Sequence, residues 1–592
     1  MFKTLKQKVE GIREYNGAVF LSAFFLLSFI FFNIFLSTLF FIFKISINAS
    51  YVVISFVLST LLNIYFMKKK NMFDKKKFIN SAISILMPIL IIIFSICVNG
   101  KVLDYTWDGN SYQKATVGLL ASGWNPLYEH LEEFDSNTDV PINIQDESPV
   151  YINHYARASN IFAANIYKFT GNIESGKSVN TISIIMIFLF TSAFLLYKNK
   201  SLLFTLMFSA CVATYPVICA QFLTNYLDLL VYVFLYLIIF SFFIFEEENF
   251  IFTKKEATIS FFMLLTVAIN IKFSLFAFAG LYCLAYYLWY VYRLIKKDLD
   301  KNFFIHFTVT AVVSVLIGVL IVGTSTYPKN LIDHKNPFYP LMGEGNTDIM
   351  TANQPAEFND KSPLEKFFIA NFSKSADIYA TSEETTKLKI PFSFDADELH
   401  AVSAPDTRIG GNGVLFSGIL ILSILVIVFM TKCLYNKNSK ECVLFLIPLA
   451  VTILMTIFLG EAWWARYFPQ IYLFVLFAVV LLNSKEDKSW IKALGYMLMI
   501  IVLINNMITF AYAVRRSYTN NVAYNIEFEN FEEQNIPEGA TLEIYTDSFH
   551  GAKYNVLDRA KDYNVIFING YPEDKTGIGT LFGGKIEWRY TK

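Results

Sequence analysis

The sequence predicts an all-α polytopic membrane protein with about thirteen transmembrane helices and a small extracytoplasmic α/β domain at its C-terminal end. Three observations predict it. Of 592 residues, 55% are hydrophobic and 17% charged, where a soluble chain carries about a quarter charged, and mean hydropathy is +0.45. The apolar residues gather in repeated runs of about 20, the length that crosses a ~30 Å hydrocarbon core. After about residue 514 the pattern changes to short alternating stretches typical of strands.

Split at charges and turn residues, the apolar runs cover 17–43, 50–67, 78–98, 177–197, 202–220, 226–245, 257–271, 273–291, 304–324, 413–431, 443–460, 467–483 and 490–513. The division at Lys272 is needed because 257–291 is too long for one crossing. The first run, Gly17 to Phe43, exceeds the ~7–15 apolar residues of a cleavable signal peptide. The positive-inside rule supports the count. With Lys3, Lys6, Lys8 and Arg13 inside, the same side receives Lys68–Lys70 and Lys75–Lys77, Lys198 and Lys200, Lys254 and Lys255, Arg293, Lys296 and Lys297. It also receives Lys432, Lys437 and Lys440, then Lys485, Lys488 and Lys492. The other side's short loops hold little beyond Lys44, Lys272 and Arg466. The net charge of zero hides this segregation.

Three polar segments then lie outside: 99–176, 325–412 and the tail. Large loops on one face suit an enzyme or receptor working there, whereas a transporter places polar groups at mid-membrane on broken helices. In the tail, Pro537-Glu538-Gly539 reads as a turn, and Thr541–Tyr545, Tyr563–Ile568 and Lys585–Tyr590 as strands. None of the six cysteines falls in a long polar segment, which argues against a disulfide framework. Cys433 and Cys442 have no His nearby and read as apolar residues, not metal ligands.

Candidate functional residues cluster outside. The first loop opens Asp104-Tyr105-Thr106-Trp107-Asp108-Gly109-Asn110, with two carboxylates where a span has just surfaced. Two amphipathic patterns follow, Tyr112 to Gly123 and Tyr155 to Gly171, expected to lie flat on the membrane with Ser111 capping the first. Asp104 and Asp108 equally suit loop residues that merely cap and solvate. Arg157 suits an ordinary snorkelling cation, and His154 a loop histidine. Asp228 heads an apolar helix, where it either binds something or complements the helix dipole. Lys272 is isolated at membrane depth, as a functional or a turn residue. Arg466 has the planar fork that binds phosphate bidentately. Arg408 stands in a glycine run, Asp406 to Gly413, where backbone N–H groups can approach an anion or simply turn.

Those stretches resemble the GT-C superfamily of polytopic glycosyltransferases, which use lipid-phosphate-linked sugars. The likeness is nearest to bacterial members related to the protein mannosyltransferase and aminoarabinose transferase group, and covers about 99 to 475. It rests on Trp107-Asp108-Gly109-Asn110-Ser111-Tyr112 with Gly123-Trp124-Asn125-Pro126, and on Asn153-His154-Tyr155-Ala156-Arg157. Further support comes from Tyr226-Leu227-Asp228, Asn270-Ile271-Lys272-Phe273, Lys335-Asn336-Pro337-Phe338-Tyr339-Pro340, Asp406 to Gly413 and Ala465-Arg466-Tyr467. Ala156 and Arg157 stand where the family usually has Pro and Lys, and Asn412 and Val414 where it has Phe-Pro after a double glycine.

The resemblance implies an outer-face site with Asp108 as the base that activates the acceptor and Asp104 as second choice. Arg157, Lys272, Arg466 and Arg408 would bind the donor phosphate, and Tyr112, Tyr155, His154 and Asp228 the sugar or acceptor. One carboxylate with several cations suits a single inverting displacement, because a retaining one needs a second, nucleophilic carboxylate. No cofactor is expected. A divalent metal finds two ligands in Asp104 and Asp108 but no third. The expected partners are membrane lipid, a polyprenyl-phosphate sugar and a cell-envelope glycan or protein acceptor, with no nucleic acid, in the bacterial plasma membrane with a cytoplasmic N-terminus. Two rival functions remain: an O-antigen-type polymerase or ligase using a lipid pyrophosphate, and a lipid-linked glycan flippase or transporter. The sugar and the acceptor are open.

Overall fold

The computed structural model describes residues 15–72, 78–135, 142, 147–248, 250–437, 439–484, 489–534, 536–537, 540–561 and 563–591. Lys3, Lys6, Lys8, Arg13, Lys75–Lys77, Lys485, Lys488, Glu538 and Gly539, named above, lie outside the described residues, as do the side chains of Lys432, Cys433 and Lys437.

Among the described residues, nine helices are long and apolar enough to cross a membrane. They are Asn16–Ile42, Ser50–Lys69, Ile79–Gly100, Ile173–Tyr197, Asp228–Phe245, Phe273–Ile295, Lys301–Val322, Ser439–Phe458 and Ser489–Glu532. The other expected spans are also helical but shorter: Leu202–Ala213, Phe416–Thr431, Pro469–Asn483 and Lys254–Ala268. Local chemistry sets these limits. A helix resumes at Pro216–Gln221 after the break at Thr214 and Tyr215, because proline ends one helix and suits the first turn of the next. Thr253 and Glu256 form a reciprocal capping box that starts Lys254–Ala268. The last expected span, ending at 513, instead continues to Glu532 as one 44-residue helix, about 66 Å long at 1.5 Å per residue. No Gly or Pro interrupts 514–532, so nothing stops it there.

The bundle's two ends differ chemically. At one end ion pairs link the basic loops: Lys69 and Lys70 with Glu256, Lys198 with Glu247, Arg293 with Glu246, and Lys440 with Asp298. At the other end lie segments 99–176 and 325–412 and the C-terminal domain. Between them the interior is aromatic, with Phe20 edge-on to Phe190, Phe250 and Phe252. Such close packing matters because lipid tails give apolar helices no net reason to leave them.

The C-terminal domain holds β1 (Thr541–Thr546), β2 (Asn564–Asn569), β3 (Gly579–Leu581) and β4 (Ile586–Thr591) in the order β2-β1-β4-β3. β1 and β2 are parallel, joined through helix Ala552–Arg559, and β4 is antiparallel to both neighbours. Three strands match the sequence reading; β3 is too short to show a period.

The two amphipathic patterns of the first loop form helices Lys114–Ser122 and Ala158–Thr170, stopped by Gly123 and Gly171 at φ +113° and +67°. Neither is an exposed interfacial helix. Lys114–Ser122 is buried along eight residues in a core shared with the C-terminal domain, where Leu119, Leu120 and Trp124 join Leu542, Ile544 and Tyr554. Ala158–Thr170 contributes Ala158, Phe162 and Ile166 to the bundle core and Ile161 to that second core. Both helices have apolar residues on more than one face, so each is covered from two sides. Ser111 is not the cap either. A π-helical turn, Gly109–Gln113, precedes the helix, and the Ser111 hydroxyl pairs with that of Ser148.

Candidate functional site

The bundle end that carries the large loops holds a cavity of about 600 Å³, lined by Asp108, Asp228, Lys272, Asp406, Arg408 and Arg466 within aromatic walls. Its chemistry is built from the first loop upward. Asp104 is fully buried; it accepts from the Thr106 backbone N–H and hydroxyl at 2.9 and 2.7 Å, and from the Asn225 N–H and side-chain amide at 2.7 Å each. The Asn110 amide donates to the carbonyls of Asp104 and Thr106. A Cβ on Gly109 would stand 2.2 Å from the Asp104 carboxylate, so only glycine fits there. These contacts fix the turn that presents Asp108. Asp104 is therefore corrected from a catalytic candidate to a buttress: its lone pairs are spent on four hydrogen bonds, and it does not line the cavity.

Asp108 keeps 21% side-chain exposure and accepts from Arg466 Nη2 at 2.8 Å. Arg466 Nε donates at 2.9 Å to Asp228 Oδ2, and Lys272 Nζ lies 2.5 Å from Asp228 Oδ1. Burial acts to push the Arg466 guanidinium down, but Asp228 and Asp108 hold it well above its ordinary value. Gln221 ties the group together by donating to Asp228 at 3.0 Å and to the Pro405 carbonyl at 2.8 Å. Aromatic faces complete the cation site: Lys272 stands 4.2 Å from the Tyr467 ring centre and Arg466 4.6 Å from that of Tyr226. Four segments that the sequence keeps far apart thus meet in one cluster.

Arg408 lines the cavity, but its fork is engaged by Asp377 at 2.6 Å, the Asn353 side chain at 2.7 Å and the Asn353 carbonyl at 3.1 Å, and it stacks on Tyr379. Its glycine run is structural, not an anion nest. Gly410 N–H donates to the Ala370 carbonyl and Gly413 N–H to that of Gly410, while Asn412 accepts from Tyr215 and donates to Asn371.

Tyr112 and Tyr155 line the cavity with Tyr151 between them, ring centres 5.0 Å from each. Burial pushes the Tyr112 and Tyr155 hydroxyls well above their ordinary value, which keeps them neutral hydrogen-bonding groups. Besides Asp104, two expected site residues stand outside the cavity lining. Arg157 is buried, donates to the carbonyls of Asn153 and Tyr155 and stacks over Trp124, so it braces the second helix and does not meet Arg466. Burial pushes it down to about 9. His154 pairs through Nδ1 with Asn330 at 2.8 Å and packs on His334 and Tyr339; burial pushes it down to about 4, against the Asn330 hydrogen bond.

The sequence reading gave no role to Asp406, Tyr226, Tyr379, Trp464 or Tyr467, all in the cavity wall. All but Tyr379 lay inside or beside a motif already singled out, but which side chains would point inward depends on turns, for which hydropathy carries no period. Asp406 is half-buried. Trp464 Nε1 donates at 3.1 Å to the carbonyls of both Asp406 and Thr407, and Arg408 stands 3.6 Å from the Asp406 carboxylate. Burial pushes Asp406 above the ordinary carboxylate range, opposed by Arg466. Chemically, the cavity can hold an anion at Arg466 and Lys272, stack a sugar on its aromatic walls, and take a proton at a carboxylate. No protein-family model and no curated protein matches this chain.

Proposed function

We propose that the protein is an inverting glycosyltransferase of the GT-C type, moving a sugar from a polyprenyl-phosphate carrier to a cell-envelope acceptor. The reading places it in the bacterial plasma membrane with thirteen crossings, the N-terminus cytoplasmic and the cavity on the outer face. The observation that carries it is the Arg466 cluster, in which a phosphate-binding guanidinium and the Lys272 ammonium share a cavity with the partly exposed carboxylate of Asp108.

In this reading the leaving phosphate takes its stabilisation from Arg466 and Lys272, where fixed donors contribute most. Asp228 orients both cations. A cavity carboxylate takes the proton of the acceptor hydroxyl, and Asp108 is the one marked by the sequence. Asp108 is bound to Arg466 at rest, so it becomes a base when the donor phosphate replaces it on the guanidinium. Tyr112 and Tyr155 supply hydrogen bonds and stacking for the sugar.

The test has two parts. Mass spectrometry of envelope glycans from a deletion strain should show one missing sugar. Sugar transfer from polyprenyl-phosphate donor in proteoliposomes should then collapse in Arg466→Ala. Full transfer in that variant, or an intact set of glycans in the deletion strain, would sink the reading.

A further inference from the structure

Two of the cavity's carboxylates, Asp108 and Asp406, stand in unlike surroundings. Asp108 is held by a charged hydrogen bond from Arg466 at 2.8 Å. Asp406 lines the same cavity, and the nearest cation to it is Arg408 at 3.6 Å, beyond hydrogen-bond length. Arg408 is committed elsewhere, to Asp377 and Asn353. The Asp406 backbone is nevertheless fixed. Trp464 grips its carbonyl, Gln221 grips that of Pro405, and the Thr407 hydroxyl donates to the Ala401 and Ala404 carbonyls at 2.6 and 2.9 Å. Trp464 and Gln221 are the neighbours of Arg466 and Asp228, so the segment bearing Asp406 is pinned to the cation cluster itself.

We propose that Asp406 is a catalytic residue, the carboxylate that receives the acceptor's proton, while Asp108 serves as a positioning partner of Arg466. This rests on the transfer reading above and refines its choice of base. The step balances simply. The acceptor O–H proton moves to the Asp406 carboxylate, and the oxygen's electron pair forms the bond to the anomeric carbon. The pair of the breaking carbon–oxygen bond stays on the phosphate beside Arg466 and Lys272, and Asp406 later returns its proton to water. Two carboxyl groups in unlike surroundings, one gripped by a guanidinium at 2.8 Å and one with its nearest cation at 3.6 Å, allow such a division of labour. The groups that face Asp406 are Arg408, Arg466, Asp377 and Asp108, with Tyr105, Tyr226 and Tyr379. Burial outweighs the two arginines, so Asp406 stays a proton acceptor of useful strength.

Two measurements on the full-length protein test this. The first is independent of substrate: dicyclohexylcarbodiimide modifies protonated carboxyls in apolar surroundings, and the modified residue is mapped by peptide mass spectrometry. Labelling at Asp406, which has no cation within hydrogen-bond reach among the described residues, should exceed that at Asp108, which Arg466 holds at 2.8 Å; preferential labelling of Asp108 overturns the proposal. The second is transfer. Asp406→Asn should lose about 10²–10⁴-fold, the usual worth of a positioned base, and Asp406→Glu should recover part of it with a displaced acidic limb in the pH profile. Because among the described residues no hydrogen bond reaches the Asp406 carboxylate and Arg408 stands 3.6 Å away, the Asn variant should unfold at the wild-type temperature, which separates catalysis from folding. Near-normal transfer in Asp406→Asn with loss in Asp108→Asn overturns the proposal and leaves the transfer reading standing. A deletion strain with no missing sugar overturns both.

Discussion

Arg466 donates to Asp108 at 2.8 Å although 358 positions separate them. The contact joins the turn before the last apolar helices to the start of the first large loop, and Arg466 carries it on to buried Asp228. A guanidinium shared by two acids is a cross-link as well as a binding group. Its desolvation is offset only while both partners remain, since an unpaired charge left behind is far costlier than the pair is stabilising.

Arg466→Ala should therefore lower stability as well as activity. The substitution leaves Asp228 buried with Lys272 and Gln221 alone, and removing one partner of such a pair typically costs about 3–5 kcal/mol. Thermal unfolding of the detergent-solubilised protein should show a lower midpoint, with Arg466→Lys intermediate because it keeps the charge but not the fork. An unchanged midpoint in Arg466→Ala would mean that the cluster contributes no net stability.

Gly109→Ala should be among the most damaging single-methyl additions in the chain. The new Cβ would meet the Asp104 carboxylate at 2.2 Å and the Thr106 hydroxyl at 2.4 Å, both fixed by hydrogen bonds that cannot yield cheaply. Overpacking of this kind costs about 1–3 kcal/mol, and displacing Asp104 frees the Asn225 N–H as well, at about 1–3 kcal/mol for a buried unpaired donor. Unfolding measurements should rank Gly109→Ala below Asp104→Asn, which retains one acceptor oxygen. The opposite ranking would show that the turn relaxes around a methyl group.

The C-terminal domain should behave as part of the site's scaffold. Gly118 packs against the Tyr554 ring so closely that a Cβ would lie 2.2 Å from it, and Gly551 N–H donates to the Asn110 carbonyl beside Asp108. Lys114, Glu174 and Asn555 form a buried charged junction across the same surface, with Lys114 at 2.7 Å from each of the other two. Gly118→Ala should loosen the domain, read as faster limited proteolysis after the Ser489–Glu532 helix. Combining it with Tyr554→Ala should recover part of the loss, because the second change removes the ring that clashes. Additive damage in the double variant would mean that the two residues do not share one contact.

These elements differ in how well the sequence announces them. The apolar runs read correctly as helices because a crossing leaves a signal about 20 residues long. The strands of the tail read correctly where five or six residues alternate. Asp108, Asp228, Lys272 and Arg466 were legible as charges standing alone beside apolar runs. Asp104 misled because a carboxylate spent on four hydrogen bonds looks, in sequence, like one that is free. Arg157 and His154 misled for a related reason: burial beneath Trp124 and Asn330 is decided by tertiary packing. The flat interfacial helices were misread because the partner that covers Lys114–Ser122 lies more than 400 positions away.

The acid limb of stability should carry the signature of His154. Its pKa falls to about 4, chiefly through burial and despite the hydrogen bond to Asn330, with His334, Arg157 and His130 facing it. An unfolded histidine titrates near 6.5, so between these values the unfolded chain binds the extra proton. Stability is then fully present above about pH 6.5 and is lost as pH falls toward 4. The shift corresponds to about 3 kcal/mol at 1.36 kcal/mol per pH unit. His334, pushed down chiefly by burial as well, acts in the same direction. Unfolding midpoints measured from pH 7 to 4 should drop less in His154→Gln, which keeps a hydrogen-bonding group toward Asn330 without the titration. Parallel curves for the two proteins would assign the acid limb to other groups.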